Sequence, residues 1–263
     1  MTPTIRFFAF ASFTAVLVPC LSADPVFPRL PNEPGMKAED TDQWKPVPTI
    51  VTAPAGGIPS DAKVLFDGRS LDAWSAYKDG SPAPWKLEAG AMVVVPGAGD
   101  IRTKASFGDI QLHLEFCEPA VVIGDSQDRG NSGVFFMGLY ELQVLDSHDN
   151  PTYVNGQAGA VYKQYPPLVN PSRLPGQWQT YDAVWIAPRF AADGTLESPG
   201  RLTVFYNGVL VQNGVALLGQ TRNAGHARYV AHPAKLPLVL QEHHNPVAFR
   251  NIWIRELTLP GAK

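Results

Sequence analysis

The run from Asn131 to His148 holds the residue types that an acid–base site uses. Within it, Tyr140 to Leu145 alternates in a strand-like way. Leu142 and Val144 fall on one face of an extended strand, and Glu141 and Gln143 fall on the other. Alternate residues of a strand are roughly 6.5–7 Å apart at Cα, so a carboxylate and an amide stand side by side on one surface. Leu145 follows them on that face, which puts Asp146 opposite unless a bulge or the strand's end redirects it. His148 then lies in a turn. A base, an amide and an imidazole at this spacing suit proton transfer on a hydroxylated ligand. A solvated strand face carrying ordinary polar residues has the same pattern, and on spacing alone both readings stand.

A second polar cluster, Gln241-Glu242-His243-His244-Asn245, directly follows the apolar run Leu236 to Leu240. Two imidazoles and a carboxylate are metal-ligand types. Adjacent side chains of an extended chain point to opposite faces, however, so both His residues are not expected on one ion. A solvated loop is the plainer reading. Arg250 and Asn251 interrupt the apolar run toward Ile254. They fit either a half-exposed strand or hydrogen bonding to sugar hydroxyls or a carbonyl. Trp74, Trp85, Trp178, Trp185 and Trp253 offer stacking surface for a sugar, though most must be core. Gly156-Gln157-Ala158-Gly159 lacks the G-K-[ST] tail and following helix of a phosphate loop. No G-x-S-x-G is present, and nothing pairs Cys117 with a His as a nucleophile would require.

The elements that must position these residues are short. The chain has 263 residues, of which 25 are Pro and 23 Gly. That density excludes a long-helix or coiled-coil protein. From Lys63 onward, apolar runs of strand length alternate with turn residues. They are Val64–Phe66, Trp85–Glu88, Ala91–Val95, Ile110–Cys117, Gly133–Met137, Tyr140–Leu145, Gln179–Ile186, Arg201–Tyr206, Val209–Val211, Leu238–Gln241 and Phe249–Leu257. Asn207-Gly208 between Tyr206 and Val209 is the strongest hairpin signal. No amphipathic helix of three or more turns is evident. Many strands with frequent turns predict an all-β sandwich or jelly roll. With 21 Lys plus Arg against 24 Asp plus Glu, the formal charge is −3, which offers no electrostatic case for nucleic acid or an anionic membrane.

The N-terminus predicts export. Arg6 precedes an apolar run from Phe7 to Pro19, and Leu21-Ser22-Ala23 suits signal-peptide cleavage after Ala23. The run is short for a bilayer span and no other segment comes close, so an integral membrane protein is not expected. Cys20 would suit a lipoprotein anchor, but Pro19 before it fits such signals poorly. The mature protein is then periplasmic or extracellular. Cys117 is left as its single thiol, so no internal disulfide is expected. Residues 24–60 are Pro-rich and read as an arm or linker, with the main domain at 61–263.

Spaced motifs through this main domain resemble a bacterial exported family. That family was long catalogued as a domain of unknown function and is now called the 3-keto-disaccharide hydrolase, or 3-keto-glucoside lyase/hydratase, domain. The motifs are Val64-Leu-Phe-Asp-Gly-Arg-Ser-Leu-Asp-Ala-Trp74, Arg129-Gly-Asn-Ser-Gly-Val-Phe-Phe136, Tyr140-Glu-Leu-Gln-Val-Leu-Asp-Ser147, Gly156-Gln-Ala-Gly159, Tyr162-Lys-Gln-Tyr-Pro-Pro-Leu-Val-Asn170, Trp178-Gln-Thr-Tyr181, Asn207-Gly-Val-Leu-Val-Gln-Asn213 and Phe249-Arg-Asn-Ile-Trp-Ile254. Where such relatives usually show Asp-His-Gly, this chain has Glu242-His243-His244. The resemblance implies a concanavalin A-like jelly roll of two antiparallel sheets with the ligand on the concave one. It also implies a glucoside whose C3 hydroxyl has been oxidised by a separate sugar 3-oxidoreductase, a functional partner of this chain. A C3 ketone acidifies the C2 proton, so a base can remove it, the C1 leaving group departs by β-elimination, and water adds to the resulting glucal.

On that footing Glu141 or His148 is the expected base, with Asp146 and His243 completing the catalytic set. Asn131, Gln143, Gln157, Tyr162, Gln241, Glu242 and Arg250 are the expected substrate contacts. The sequence requires no cofactor, although a divalent metal at Glu242, His243 and their neighbours is compatible with it. A non-catalytic carbohydrate-binding module on the same fold is the alternative.

Overall fold

The computed structural model describes residues 30–258; the segment expected to be a signal peptide and the first residues of the Pro-rich arm lie outside the described residues. Two units are distinguished, one ending at Thr49 and the other beginning at Ile50. In the first, the described residues hold one short 3-10 turn, Ala38–Thr41, whose Asp40 carboxylate accepts the Lys37 backbone N–H. No helix among the described residues is long and apolar enough to cross a membrane.

The second unit is built of strands. In chain order they are β1 (Lys63–Phe66), β2 (Trp74–Ala76), β3 (Lys86–Glu88), β4 (Ala91–Val93), β5 (Ile101–Phe107), β6 (Ile110–Cys117), β7 (Ser132–Phe136) and β8 (Tyr140–Val144). They continue with β9 (Gln179–Ile186), β10 (Arg189–Phe190), β11 (Leu196–Ser198), β12 (Arg201–Tyr206), β13 (Val209–Ala216), β14 (Leu236–Leu240) and β15 (Ala248–Glu256). The larger sheet runs β13-β12-β9-β6-β15-β4-β3, with β1 also paired to β15. The smaller runs β2-β5-β14-β7-β8, and β10 with β11 forms a separate hairpin. Every pairing is antiparallel. The architecture is the jelly-roll sandwich that the strand pattern predicts.

Alternation decides which residues the sandwich buries. On β6, Ile110, Leu112, Leu114 and Phe116 are buried while Gln111, His113 and Glu115 face outward. On the smaller sheet Val134, Phe136, Tyr140, Leu142, Val144, Leu238 and Leu240 supply the inner face. The two layers meet through aromatic rings: Trp185 of β9 lies 5.3 Å from Phe136 and 5.0 Å from Tyr140, centroid to centroid. The Tyr181 hydroxyl crosses the same gap and donates to the Gln143 carbonyl at 2.8 Å.

Four strands escape the periodicity: β2, β5 and the two of the β10–β11 hairpin. β5 turns Thr103 inward, so no apolar alternation marks it; the Thr103 hydroxyl donates to the Ala105 carbonyl and accepts the Leu238 N–H. β2 is three residues long and carries Ser75 buried. Pro237 lies within β14, in the middle of the smaller sheet, where its missing N–H coincides with a shift of register against β5.

Candidate active site

The outer face of the smaller sheet carries the site. Cross-strand partners share a face, and the pairs Phe135↔Glu141, Gly133↔Gln143 and Val239↔Phe135 put Glu141, Gln143, Phe135 and Gly133 together. The Gln241 N–H donates to the Gly133 carbonyl, which continues the ladder one residue past β14. β8 would be an edge strand, but the segment from Gly159 to Tyr162 covers it. Gly159 N–H donates to the Gln143 carbonyl, Gln143 N–H to Ala160 and Tyr162 N–H to the Glu141 carbonyl. Tyr162 is thereby fixed beside Glu141. The Thr221 hydroxyl accepts the Glu141 N–H at 2.9 Å, which ties a distant loop to the same strand.

These elements enclose a cavity of about 330 Å³ lined by Asn131, Phe135, Glu141, Gln143, Tyr162, Thr221, Asn223, Gln241 and His243. Its volume is that of a small-molecule pocket. Glu141 is 4% exposed and makes no side-chain hydrogen bond among the described residues. Burial pushes its carboxyl up to about 8, the Asp100 charge pushes the same way, and Lys163 opposes both. Asp100 is itself raised, chiefly by burial. Lys163 lies over the Tyr153 and Tyr162 rings, 5.5 Å from each centroid, and its ammonium donates to the Asn223 carbonyl. The Tyr162 hydroxyl, 2.7 Å from that of Tyr153, is raised by burial and by that hydrogen bond.

Two amides leave an acceptor open. Gln143 Nε2 donates to Gln127 Oε1 at 3.1 Å and to the Gly156 carbonyl at 3.3 Å. Both partners are acceptors, which fixes the amide's orientation and leaves its Oε1 buried without a partner among the described residues. Gln241 Oε1 is in the same condition. Unpaired buried acceptors in a polar pocket suit a ligand rich in hydroxyl donors.

Of the residues that the sequence nominates, Asn131, Glu141, Gln143, Tyr162, Gln241 and His243 therefore line one cavity. Five others do not. β8 ends at Val144 and the chain turns, so Asp146 is buried against Arg129, 2.6 Å from its Nε, instead of facing the cavity. His148, next in that turn, has its imidazole 3.6 Å from Asp149, while its carbonyl accepts from Arg129. Gln157 ends the 3-10 turn Val154–Gly156 and accepts the Ala160 N–H on its carbonyl. Glu242 turns its N–H to Asp100 and its carboxylate to the His244 N–H. Arg250 belongs to β15 of the larger sheet, where it pairs with Glu115 at 2.6 Å and stacks over Trp178. Phe135, Thr221 and Asn223 also line the cavity, and Lys163 stands beside it, without being among the residues nominated from sequence. Phe135 shares the period-two face of Glu141, a usable signal; the other three come from loops and carry none.

Among the described residues no three His, Cys, Asp or Glu side chains converge as a metal ion would require. Cys117 is no thiolate: burial and the Glu118 charge push its thiol up to about 11.

Comparison with known proteins bears on this arrangement. The crystal structure of a Parabacteroides distasonis protein provisionally named a glycosyl hydrolase is 45% identical, with a TM-score of 0.81 over 87% of this chain and 100% of that one. Two further proteins of that organism, named in the same way, share the fold at 19% and 21% identity, with TM-scores of 0.55 and 0.53. They cover 75% and 74% of this chain and 94% and 99% of their own. No curated protein matches the chain. The profile of the 3-keto-alpha-glucoside-1,2-lyase-like domain matches residues 61–255, nearly the whole sandwich, and the chain belongs to that family.

Proposed function

We propose that this protein is a carbohydrate-active enzyme that cleaves the glycosidic bond of 3-keto-glucosides by elimination and then hydration, with Glu141 as the base. The observation that carries the reading is a buried carboxyl held near pKa 8, in a pocket whose other polar groups are amides and hydroxyls. Ordinary glycoside hydrolysis uses two carboxyl groups, one at each face of the scissile bond. Glu141 is the single carboxyl among the lining residues, and one strong base suits abstraction of an acidified C–H.

The ionised Glu141 takes the C2 proton, and the electron pair moves to the C3 ketone oxygen as an enolate. The enolate re-forms the ketone as C1–O breaks and C1=C2 appears, and the leaving oxygen takes a proton from His243. Water then adds its oxygen to C1 and gives one proton back to His243, while Glu141 returns its proton to C2. The sum is hydrolysis, with no change of oxidation state. Gln143 and Gln241 accept from sugar hydroxyls, while Asn131 and the Lys163 field stand beside developing negative charge.

The test is an NMR time course in D2O with a 3-keto-glucoside and its unoxidised parent, with and without chelator. Consumption of the ketone alone, with deuterium appearing at C2, is the expected result. Binding of both sugars with turnover of neither would replace the enzyme by a carbohydrate-binding module. The chelator arm reports whether a metal takes part.

A further inference from the structure

A second cavity, of about 290 Å³, opens on the other side of a thin wall. The wall is made by Gly130–Asn131 and His243–Asn245, joined where Gly130 N–H donates to Asn245 Oδ1 at 3.0 Å and Asn245 Nδ2 donates to the His243 carbonyl at 2.8 Å. His243 lines the first cavity and His244 the second, with their rings 6.1 Å apart between centroids. His244 reaches that side because its backbone is left-handed, at φ 61°.

The two cavities differ in chemistry. Val121, Val122 and Ile123 border the second and are 72%, 48% and 74% exposed, an apolar run that a free surface does not favour. Its most buried polar groups are already engaged. Arg129 donates to Asp146 Oδ2 and to the carbonyls of His148 and Asp149, and Asp146 Oδ1 accepts the His148 N–H. Gln143 and Gln241 each leave a buried acceptor open in the first cavity, whereas among the described residues no polar side-chain atom lining the second is left buried and unpaired.

We infer that the second cavity is the subsite for the leaving group, and that it takes an apolar or aryl aglycone in preference to a second sugar. The inference rests on the lyase reading, since it is the C1 substituent of a sugar in the first cavity that would reach across the wall. An aglycone seated against Val121 and Ile123 leaves water for apolar contact, and the departing alcohol exits over an exposed rim.

The experiment compares benzyl and methyl 3-keto-α-glucosides, whose leaving alcohols are of similar acidity, on wild type and on a V121S/I123S double variant. Both substituted side chains are exposed, so the fold is preserved. The wild type should favour benzyl by about tenfold or more in kcat/KM, the size expected for removing a ring from water. The double variant should bring that ratio close to one. Unoxidised benzyl α-glucoside, which cannot eliminate, is the second probe, and its addition should shift the methyl resonances of Val121, Val122 and Ile123. Equal kcat/KM for both ketones with no methyl shifts overturns the subsite and leaves the lyase reading intact. Turnover of neither ketone, with the methyl shifts present, overturns the lyase reading and retains the cavity as an aryl-glycoside binding site.

Discussion

Glu141 reaches diagonally across the sheet to Gly133, and its Oε1 lies 2.8 Å from the point that a Cβ on residue 133 would occupy. The Phe135 ring stands equally close to that point. Both nearest atoms are the far ends of side chains, so an added methyl is accommodated by moving them and not by moving the strands. Gly133→Ala is therefore expected to fold, with a stability loss of about 1–2 kcal/mol from overpacking, and to displace the carboxyl. Displacement of a reacting group by about 1 Å lowers rates by roughly 100-fold. Steady-state kinetics beside thermal unfolding checks this: a variant that loses stability but keeps kcat/KM would show that the Glu141 position is not used.

The same carboxyl sets a pH dependence. A base with a pKa of about 8 in the free protein is mostly protonated at neutral pH. Activity in kcat/KM should rise close to tenfold per pH unit below that value and level off above it. Glu141→Gln should abolish both the rise and C2 deuterium exchange while still binding the ketone. A profile that is flat from pH 6 to pH 9, roughly the span over which such a carboxyl changes charge, would remove Glu141 from the base role.

Stability carries the opposite sign. The folded protein holds the Glu141 proton up to about pH 8, whereas an unstrained carboxyl releases it near 4.5. Between those values the unfolded chain binds fewer protons. The stabilisation is full below 4.5 and is lost as pH rises through the folded value. Glu118 behaves alike, being pushed up to about 8 by burial, with one carboxyl oxygen left unpaired. The expected outcome is a wild-type Tm that falls from pH 5 toward pH 8.5, a window chosen to bracket both shifts. Glu141→Gln should unfold at a higher temperature than wild type at the alkaline end, by up to a few kcal/mol in stability, and close to wild type at the acid end. A constant gap across pH would mean that the carboxyl is not held neutral by burial.

How far the sequence foretold this arrangement depends on the range of the interactions involved. Glu141 and Gln143 were legible because a strand's period of two is local. Asp146 and His148 follow in the same text, but β8 stops at Val144, and the partner that claims Asp146 is Arg129, far back in the chain. β5 was illegible because its buried Thr103 satisfies a neighbouring backbone N–H instead of marking an apolar face. Thr221, Asn223 and Lys163 were beyond pattern altogether, since long-range contacts alone bring their loops to β8. Whether a strand joins the sheet that carries the cavity is likewise a matter of topology, and Arg250 shows the consequence.

Arg250 was nominated as a substrate contact because a charge interrupts an apolar run, and the topology gives that charge another employment. On the outer face of the larger sheet its Nε meets Glu115 Oε2 at 2.6 Å, and its guanidinium lies 3.9 Å from the Trp178 ring centroid. Asn251 donates to the other Glu115 oxygen at 2.9 Å. Burial alone would raise the Glu115 carboxyl, but the hydrogen bonds from Asn251 and Arg250, with the Arg250 charge, hold it below its ordinary 4.5. That stabilisation is present above 4.5 and is lost as pH falls through the lowered value. Arg250→Ala should therefore destabilise the protein by about 1 kcal/mol at neutral pH, discounted because the arginine is partly exposed. The deficit should shrink in acid. Turnover of a 3-keto-glucoside should stay within about twofold of wild type, a difference below 0.5 kcal/mol. Denaturant titrations at two pH values, run beside the kinetics, test both halves. A large loss of kcat/KM with unchanged stability would return Arg250 to the ligand and place the working surface on the larger sheet.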